Sequence, residues 1–128
     1  MTQERRQQEL EFLTRRYGEV DYGPNLDWVL LKQLQLPHGW NCPLAEVLII
    51  IPPGYPMTPP DNFYVRNGIL LADGRLPNNY SANQSLLGSS WGQFSFHAER
   101  WNPTPGIIDG DNLVTFMMAV ERRLQETN

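Results

Sequence analysis

The feature that most constrains the fold is a run of prolines near the middle of the chain. Five of the 11 prolines fall in the string IPPGYPMTPPD, at positions 52, 53, 56, 59 and 60. Proline has no backbone N–H to donate and a fixed φ, so this string cannot form a central strand of a sheet. We expect a rigid, extended loop here, with the other elements built around it.

The segments before this loop predict one helix and two strands. Residues 2–17 are rich in helix-forming residues, with Leu10, Leu13 and Tyr17 at helical spacing and Gly18 where a C-cap would fall. Residues 26–36 and 44–51 are rich in leucine and isoleucine and are separated by the turn sequence PHGWN, which predicts an antiparallel hairpin. Regular alternation in the first strand places Leu34 on the face opposite to Val29 and Leu31.

The segments after the loop predict a short strand, an irregular stretch and a final helix. Residues 62–65 (NFYV) are mostly aromatic or apolar, whereas residues 66–90 contain scattered Gly, Asn, Ser and Asp. Asp111 or Asn112 is expected to cap the last helix, whose apolar positions recur at helical spacing. These positions are Leu113, Phe116, Met117, Val120 and Leu124. The order predicts an α+β fold with an antiparallel meander of about four strands and a helix at each end.

Composition excludes several classes of protein. A chain of 128 residues with 41% hydrophobic residues predicts one domain over residues 1–128. The single cysteine, Cys42, allows neither an internal disulfide nor a thiolate-rich zinc site, and it favours the cytoplasm. A net charge of −4 without a basic run argues against nucleic acid. No apolar export signal or membrane span is recognisable, so we expect no membrane partner.

Two motifs resemble the ubiquitin-conjugating (E2/UBC) superfamily. Tyr55-Pro56, two spacers and Pro59-Pro60 lead into the aromatic Phe63-Tyr64-Val65, as in the E2 signature. Trp101-Asn102-Pro103 resembles the Trp-x-Pro that follows the E2 catalytic loop. With Ser95 and His97, the chain is most similar to the bacterial branch called prokaryotic E2 family E, associated with operons that carry multi-ubiquitin-like proteins. The resemblance implies a UBC-like fold.

The chain departs from the E2 pattern where the chemistry occurs. Conjugating enzymes carry a His-Pro-Asn and then a nucleophilic cysteine, whereas this chain has Leu76-Pro77-Asn78 and no cysteine nearby. Aligning GQFSFH on the family motif puts Ser95 at the cysteine position. A serine hydroxyl is almost fully protonated at neutral pH, and it would form an oxyester in place of an exchangeable thioester. The resemblance thus implies Ser95, Asn78 and His97 as the candidate catalytic positions.

The same residues allow two other arrangements. Ser95, His97 and Glu99 alternate, which would suit a serine, a base and an orienting carboxylate, but such triads are usually assembled from separate segments. We interpret His97 instead as a residue that bonds backbone carbonyls and organises its loop. His97, Glu99, Asp109 and Asp111 match no metal-binding spacing, so we expect no metal and no other cofactor.

The remaining candidates concern binding. Cys42 offers the only thiol, but no basic residue lies near it in sequence, so we interpret it as a half-buried turn residue. Residues 78–101 and the proline loop form the expected binding surface. Its candidate contacts are Tyr55, Pro56, Trp101 and Trp91, the last in a Gly-Ser-Ser-Trp-Gly setting that favours partial exposure.

The sequence predicts a non-catalytic E2-like protein that binds a ubiquitin-like protein or its E1-like partner. One alternative is an active transferase that uses Cys42 or Ser95. The other is a stand-alone module that recognises a peptide or ubiquitin. Fold alone does not choose among the three.

Overall fold

The computed structural model describes residues 1–128 as two helices and one antiparallel sheet. The elements are α1 Gln3–Tyr17, β1 Val20–Tyr22, β2 Trp28–Gln35, β3 Leu44–Ile50, β4 Phe63–Arg66, β5 Tyr80–Leu86, β6 Ser89–Phe94, a 3₁₀ turn Ile107–Asp109 and α2 Leu113–Gln125. The sheet order is β1-β2-β3-β4-β6-β5. The α+β class and the terminal helices are confirmed, whereas the expectation of about four strands was wrong, because the sheet has six.

Both helices begin at a side-chain cap, and the cap of α2 is Asn112, one of the two residues predicted for it. The Thr2 side chain accepts from the backbone N–H of Arg5 at 3.0 Å. Asn112 caps α2 by accepting from the N–H of Thr115 at 3.0 Å, while the Thr115 hydroxyl accepts from the N–H of Asn112 at 2.9 Å. The five apolar positions predicted for this helix are each 1% exposed or less. Neither helix is long and apolar enough to cross a membrane.

The predicted hairpin forms between β2 and β3, but with an irregularity in β2. The register shifts between Leu31 and Leu34, as in a β-bulge. Val29, Leu31 and Leu34 are therefore all buried in the core, with exposures of 0%, 1% and 5%. The expectation that Leu34 faces away from the other two was wrong because the bulge changes the alternation.

Part of the stretch predicted to be irregular, residues 66–90, is in fact a hairpin of β5 and β6. The two strands are joined by Leu87 and Gly88, whose φ values are 51° and 71°. Positive φ at both central residues is the geometry of a type I′ turn, whose twist suits a two-residue hairpin. The polar sequence YSANQSL of β5 lacks the β-branched residues that usually indicate a strand.

The proline loop connects β3 to β4 outside the sheet ladder, as predicted, and it contains a cis Tyr55–Pro56 bond. A buried carboxylate on α1 holds it in place. Glu9, 0% exposed, accepts from the Tyr55 hydroxyl, from Arg5 Nε at 3.3 Å and from the N–H of Leu113 at 2.9 Å. Burial raises the pKa of Glu9, and these donors oppose that shift. One side chain thereby joins α1, the proline loop and the first residue of α2.

Arg5 extends this junction to the chain that precedes α2. Its guanidinium donates to the carbonyl of Thr104 at 2.7 Å and to that of Asp111 at 3.2 Å. Its side chain is 8% exposed. A buried guanidinium needs partners for its donors, and here a carboxylate and two carbonyls provide them. The segment between β6 and α2 is thus anchored on the first turns of α1.

We expect Tyr55→Phe to lower the free energy of unfolding by about 1–3 kcal/mol, because Glu9 then loses a donor in a buried site. Urea denaturation monitored by circular dichroism measures this. Tyr22→Phe is the matched control, since Tyr22 is 54% exposed and its hydroxyl bonds nothing in the chain; its effect should stay within about 0.5 kcal/mol. Equal effects of the two variants would contradict a structural role for the Tyr55–Glu9 bond.

Candidate functional site

An open groove of about 930 Å³ lies between residues 95–102 and the outer side of α2. We call it the Ser95 groove. Its floor includes Phe96 and Phe116, its rim includes Arg100 and Arg122, and one end is formed by Asn78 and Asn79. The groove lies where the segment after β6 passes over α2, and this segment is held from behind by Arg5 and the proline loop.

Strand pairing brings Asn78 and Ser95 to the same end of this groove. Asn79 directly precedes β5 and Ser95 directly follows β6, and the Ser95 N–H donates to the Asn79 carbonyl at 2.8 Å. The Asn78 backbone is also fixed, since its carbonyl accepts from Arg123 at 2.9 Å. The Asn78 side chain is exposed and bonds nothing in the chain, so its amide is free to meet a bound molecule.

The Ser95 hydroxyl has no base beside it. Ser95 is exposed, and its Oγ makes no hydrogen bond to any group of the chain. Neither His97 nor Glu99 contacts it, so the serine, base and carboxylate arrangement is not assembled. The groove therefore presents a hydroxyl that stays protonated at neutral pH.

His97 is placed differently from the sequence expectation. Its side chain is 78% exposed and bonds no backbone carbonyl; instead, Nδ1 lies 2.5 Å from an Asp61 oxygen. The interpretation of His97 as a buried organiser of the loop was therefore wrong. That role belongs to Asn62, whose side chain accepts from the Phe96 N–H at 3.0 Å and whose own N–H donates to the Phe96 carbonyl at 2.8 Å.

Trp101 joins the groove wall to the proline loop. Its Nε1 donates to the Pro56 carbonyl at 2.7 Å. Its ring centre lies 6.1 Å from that of Tyr55 and 6.4 Å from that of Phe116 on α2. Trp101 and Pro56 are half-buried, whereas Tyr55 is 2% exposed. Tyr55 therefore supports the wall from inside and offers no surface for a partner to contact, contrary to the expectation.

Trp91, expected to be partly exposed, is also only 2% exposed. It lies in β6, where its Nε1 donates to the Leu86 carbonyl at 2.9 Å. The Arg66 guanidinium covers the ring at 4.2 Å from its centre. The expectation was wrong because the flanking Gly and Ser belong to a strand paired on both sides, and the indole packs beneath a cationic side chain.

Some charged side chains of the groove are bonded to other groups of the chain, and others form no ion pair. Asp111 accepts from the N–H of Asn102 at 2.7 Å and from the Thr115 hydroxyl at 2.9 Å. Arg123 donates to backbone carbonyls, and burial lowers its pKa. Arg100, Arg122 and Glu99 form no ion pair within the chain. These three side chains are free to meet charges on a bound partner.

Cys42 lies outside the groove, in the loop between β2 and β3, where it is half-buried against the core. Burial raises the pKa of its thiol, so the reactive thiolate is disfavoured there. No three His, Cys, Asp or Glu side chains of residues 1–128 are grouped so as to hold a metal ion.

The fold and the groove beside the proline loop together define an E2-like domain. The family model described as prokaryotic E2 family E matches residues 4–127, so the chain belongs to that family. Members of this family are E2-like components of bacterial ubiquitin-like systems. No curated protein and no solved structure gives a significant match to the chain.

We expect Trp101→Phe to destabilise the protein by about 1–3 kcal/mol, because the half-buried Pro56 carbonyl loses its donor. His97→Ala should cost less than about 1 kcal/mol, since an exposed ion pair contributes little. Thermal melts and urea titrations of both variants, with Asp61→Asn as the partner control, measure this difference. The opposite order of stabilities would restore His97 as the residue that organises the loop.

Proposed function

We propose that this protein is a non-catalytic E2-like binding domain that holds a ubiquitin-like protein in the Ser95 groove. The observation that carries the proposal is the groove itself: an exposed serine occupies the position aligned with the E2 nucleophile, and no thiol lines the groove. The partner reaches the groove either from an E1-like enzyme or free in solution. In either case, this chain binds the partner and forms no thioester with it.

The chemistry of the groove supports binding of a partner protein more than covalent transfer of that partner. A serine hydroxyl needs a general base to become a nucleophile, and Ser95 has none within hydrogen-bonding distance. Asn78, by contrast, presents a free amide at the same end of the groove, where it can donate to a carbonyl of a bound chain. Arg100 and Arg122 add cations at the rim that can pair with a partner's carboxylates.

The alternative of an active transferase is less well supported at either candidate nucleophile. Cys42 lies outside the groove and its thiol has a raised pKa. Ser95 lies in the groove but lacks a base. A stand-alone recognition module would use the same groove, and it differs from our proposal only in the identity of the bound chain.

The test is an adduct assay with the ubiquitin-like protein and E1-like enzyme of the same bacterial system, together with ATP. We expect the wild-type domain to form no reductant-sensitive adduct, because its groove contains no thiolate. Ser95→Cys should form one, since a cysteine at this position is a few per cent ionised and intrinsically nucleophilic. Denaturing gels with and without reductant, confirmed by intact mass, give the readout.

Cys42→Ala and the double variant Ser95→Cys/Cys42→Ala are the matched controls. The adduct of Ser95→Cys should persist in the double variant, which assigns it to position 95. A wild-type thioester that disappears in Cys42→Ala would overturn the proposal in favour of a transferase. An alkali-labile wild-type adduct that disappears in Ser95→Ala would overturn it in favour of serine chemistry.

A further inference from the structure

The basic side chains of this chain are almost all arginine. Of the 10 basic residues, nine are arginine and one is lysine, Lys32. Lysine is ordinarily one of the commonest residues of globular proteins, so a single lysine is a low count. A lysine amine can lose its proton and attack a carbonyl carbon, whereas the arginine guanidinium stays charged and does not. Side-chain amine chemistry is therefore confined to one position in residues 1–128.

Arginine supplies all the basic side chains of the Ser95 groove. Arg100, Arg122 and Arg123 line it, and no lysine or cysteine does. Guanidinium groups pair with carboxylates as well as amines do, but they offer no nucleophile. The Ser95 hydroxyl is exposed and has no base beside it. The groove therefore contains neither an amine nor a thiol to accept an acyl group from a bound molecule.

The one lysine lies outside the groove, on β2, beside two carboxylates. Its Nζ lies 3.5 Å from an Asp21 oxygen and 3.6 Å from a Glu19 oxygen, and 35% of its side chain is exposed. Asp21 belongs to β1, which pairs with β2. The two carboxylates raise the pKa of Lys32, Asp21 more than Glu19. Only the neutral amine has a lone pair to attack with, so the ion pairs lower its reactivity while the side chain remains accessible.

We infer that Lys32 is the one side-chain amine of this chain that a thioester can acylate, and that Asp21 and Glu19 slow this reaction. The neutral Nζ attacks the thioester carbonyl carbon, a C–N bond forms and the C–S bond breaks. The thiolate leaves, and the proton lost by the amine passes to solvent. The biological meaning of this inference rests on the proposed function: a ubiquitin-like protein activated as a thioester binds in the groove without becoming attached to it.

The test exposes the purified domain to acetyl-coenzyme A, a small thioester, at about pH 8. Treatment with a thiol then removes any acetyl group from Cys42, and peptide mapping by mass spectrometry locates the remaining amides. We expect one acetylated side chain, Lys32, and at least about twofold faster acetylation in Asp21→Asn/Glu19→Gln. Arg15→Lys is the matched reference, since Arg15 is exposed and forms no ion pair within the chain. Its new amine should react at least about twofold faster than Lys32.

The outcomes separate this inference from the proposed function. It is overturned if wild-type Lys32 reacts as fast as the new amine of Arg15→Lys, or if the double variant reacts no faster than wild type. The proposed function is judged by a second reaction, in which the ubiquitin-like protein charged on its E1-like enzyme replaces acetyl-coenzyme A. There Arg122→Lys should gain a reductant-resistant adduct and Arg15→Lys should not. Equal adducts on both would reject the groove and leave the assignment of Lys32 standing.

Discussion

The arrangement of the whole domain depends on one buried carboxylate, that of Glu9. An ionised group in the interior is tolerated only when donors surround it, and each donor to Glu9 comes from a different part of the chain: the first turn of α1, the proline loop and the start of α2. The Leu113 N–H is also one of the groups that the first turn of a helix leaves without a partner inside the helix. Glu9 therefore accepts from the first turn of α2 while α2 provides one of its donors, and neither helix can be displaced without leaving a buried polar group unpaired.

The same junction determines the position of the groove. Tyr55 is fixed by Glu9, the next residue in the loop is Pro56, and the Pro56 carbonyl accepts from Trp101 in the groove wall. Arg5 holds the chain just beyond that wall through the Thr104 carbonyl. The wall formed by residues 95–102 thus needs no regular secondary structure, because the Asn62 and Asp111 side chains accept from its N–H groups at Phe96 and Asn102. Ser95 is positioned separately, by the pairing of β5 with β6.

Sequence reasoning succeeded where the signal was local and periodic. The apolar spacing of α2, the cap at Asn112 and the exclusion of the proline loop from the sheet were all confirmed, since each depends on neighbours along the chain. It failed for β5, whose polar residues are typical of loops, and for the bulge in β2, which no local pattern marks. Glu9 was missed because a glutamate in an amphipathic helix normally faces water. The surroundings of His97 and Trp91 depend on Asp61 and Arg66, which lie far from them in sequence, so their exposure could not be predicted.

The hydrogen bond between Trp101 and the Pro56 carbonyl bears on how such proteins are identified from their sequences. The Tyr-Pro and Trp-x-Pro markers that relate this chain to conjugating enzymes include the residues that build the wall of the groove, where Trp101 bonds the Pro56 carbonyl and packs beside Tyr55. Their part in this wall is a sufficient reason for the chain to carry them. The motifs therefore indicate an architecture, and by themselves they do not distinguish an enzyme from a binding domain. Whether a member is an enzyme is decided at the few exposed positions, such as Ser95, that folding leaves free to vary.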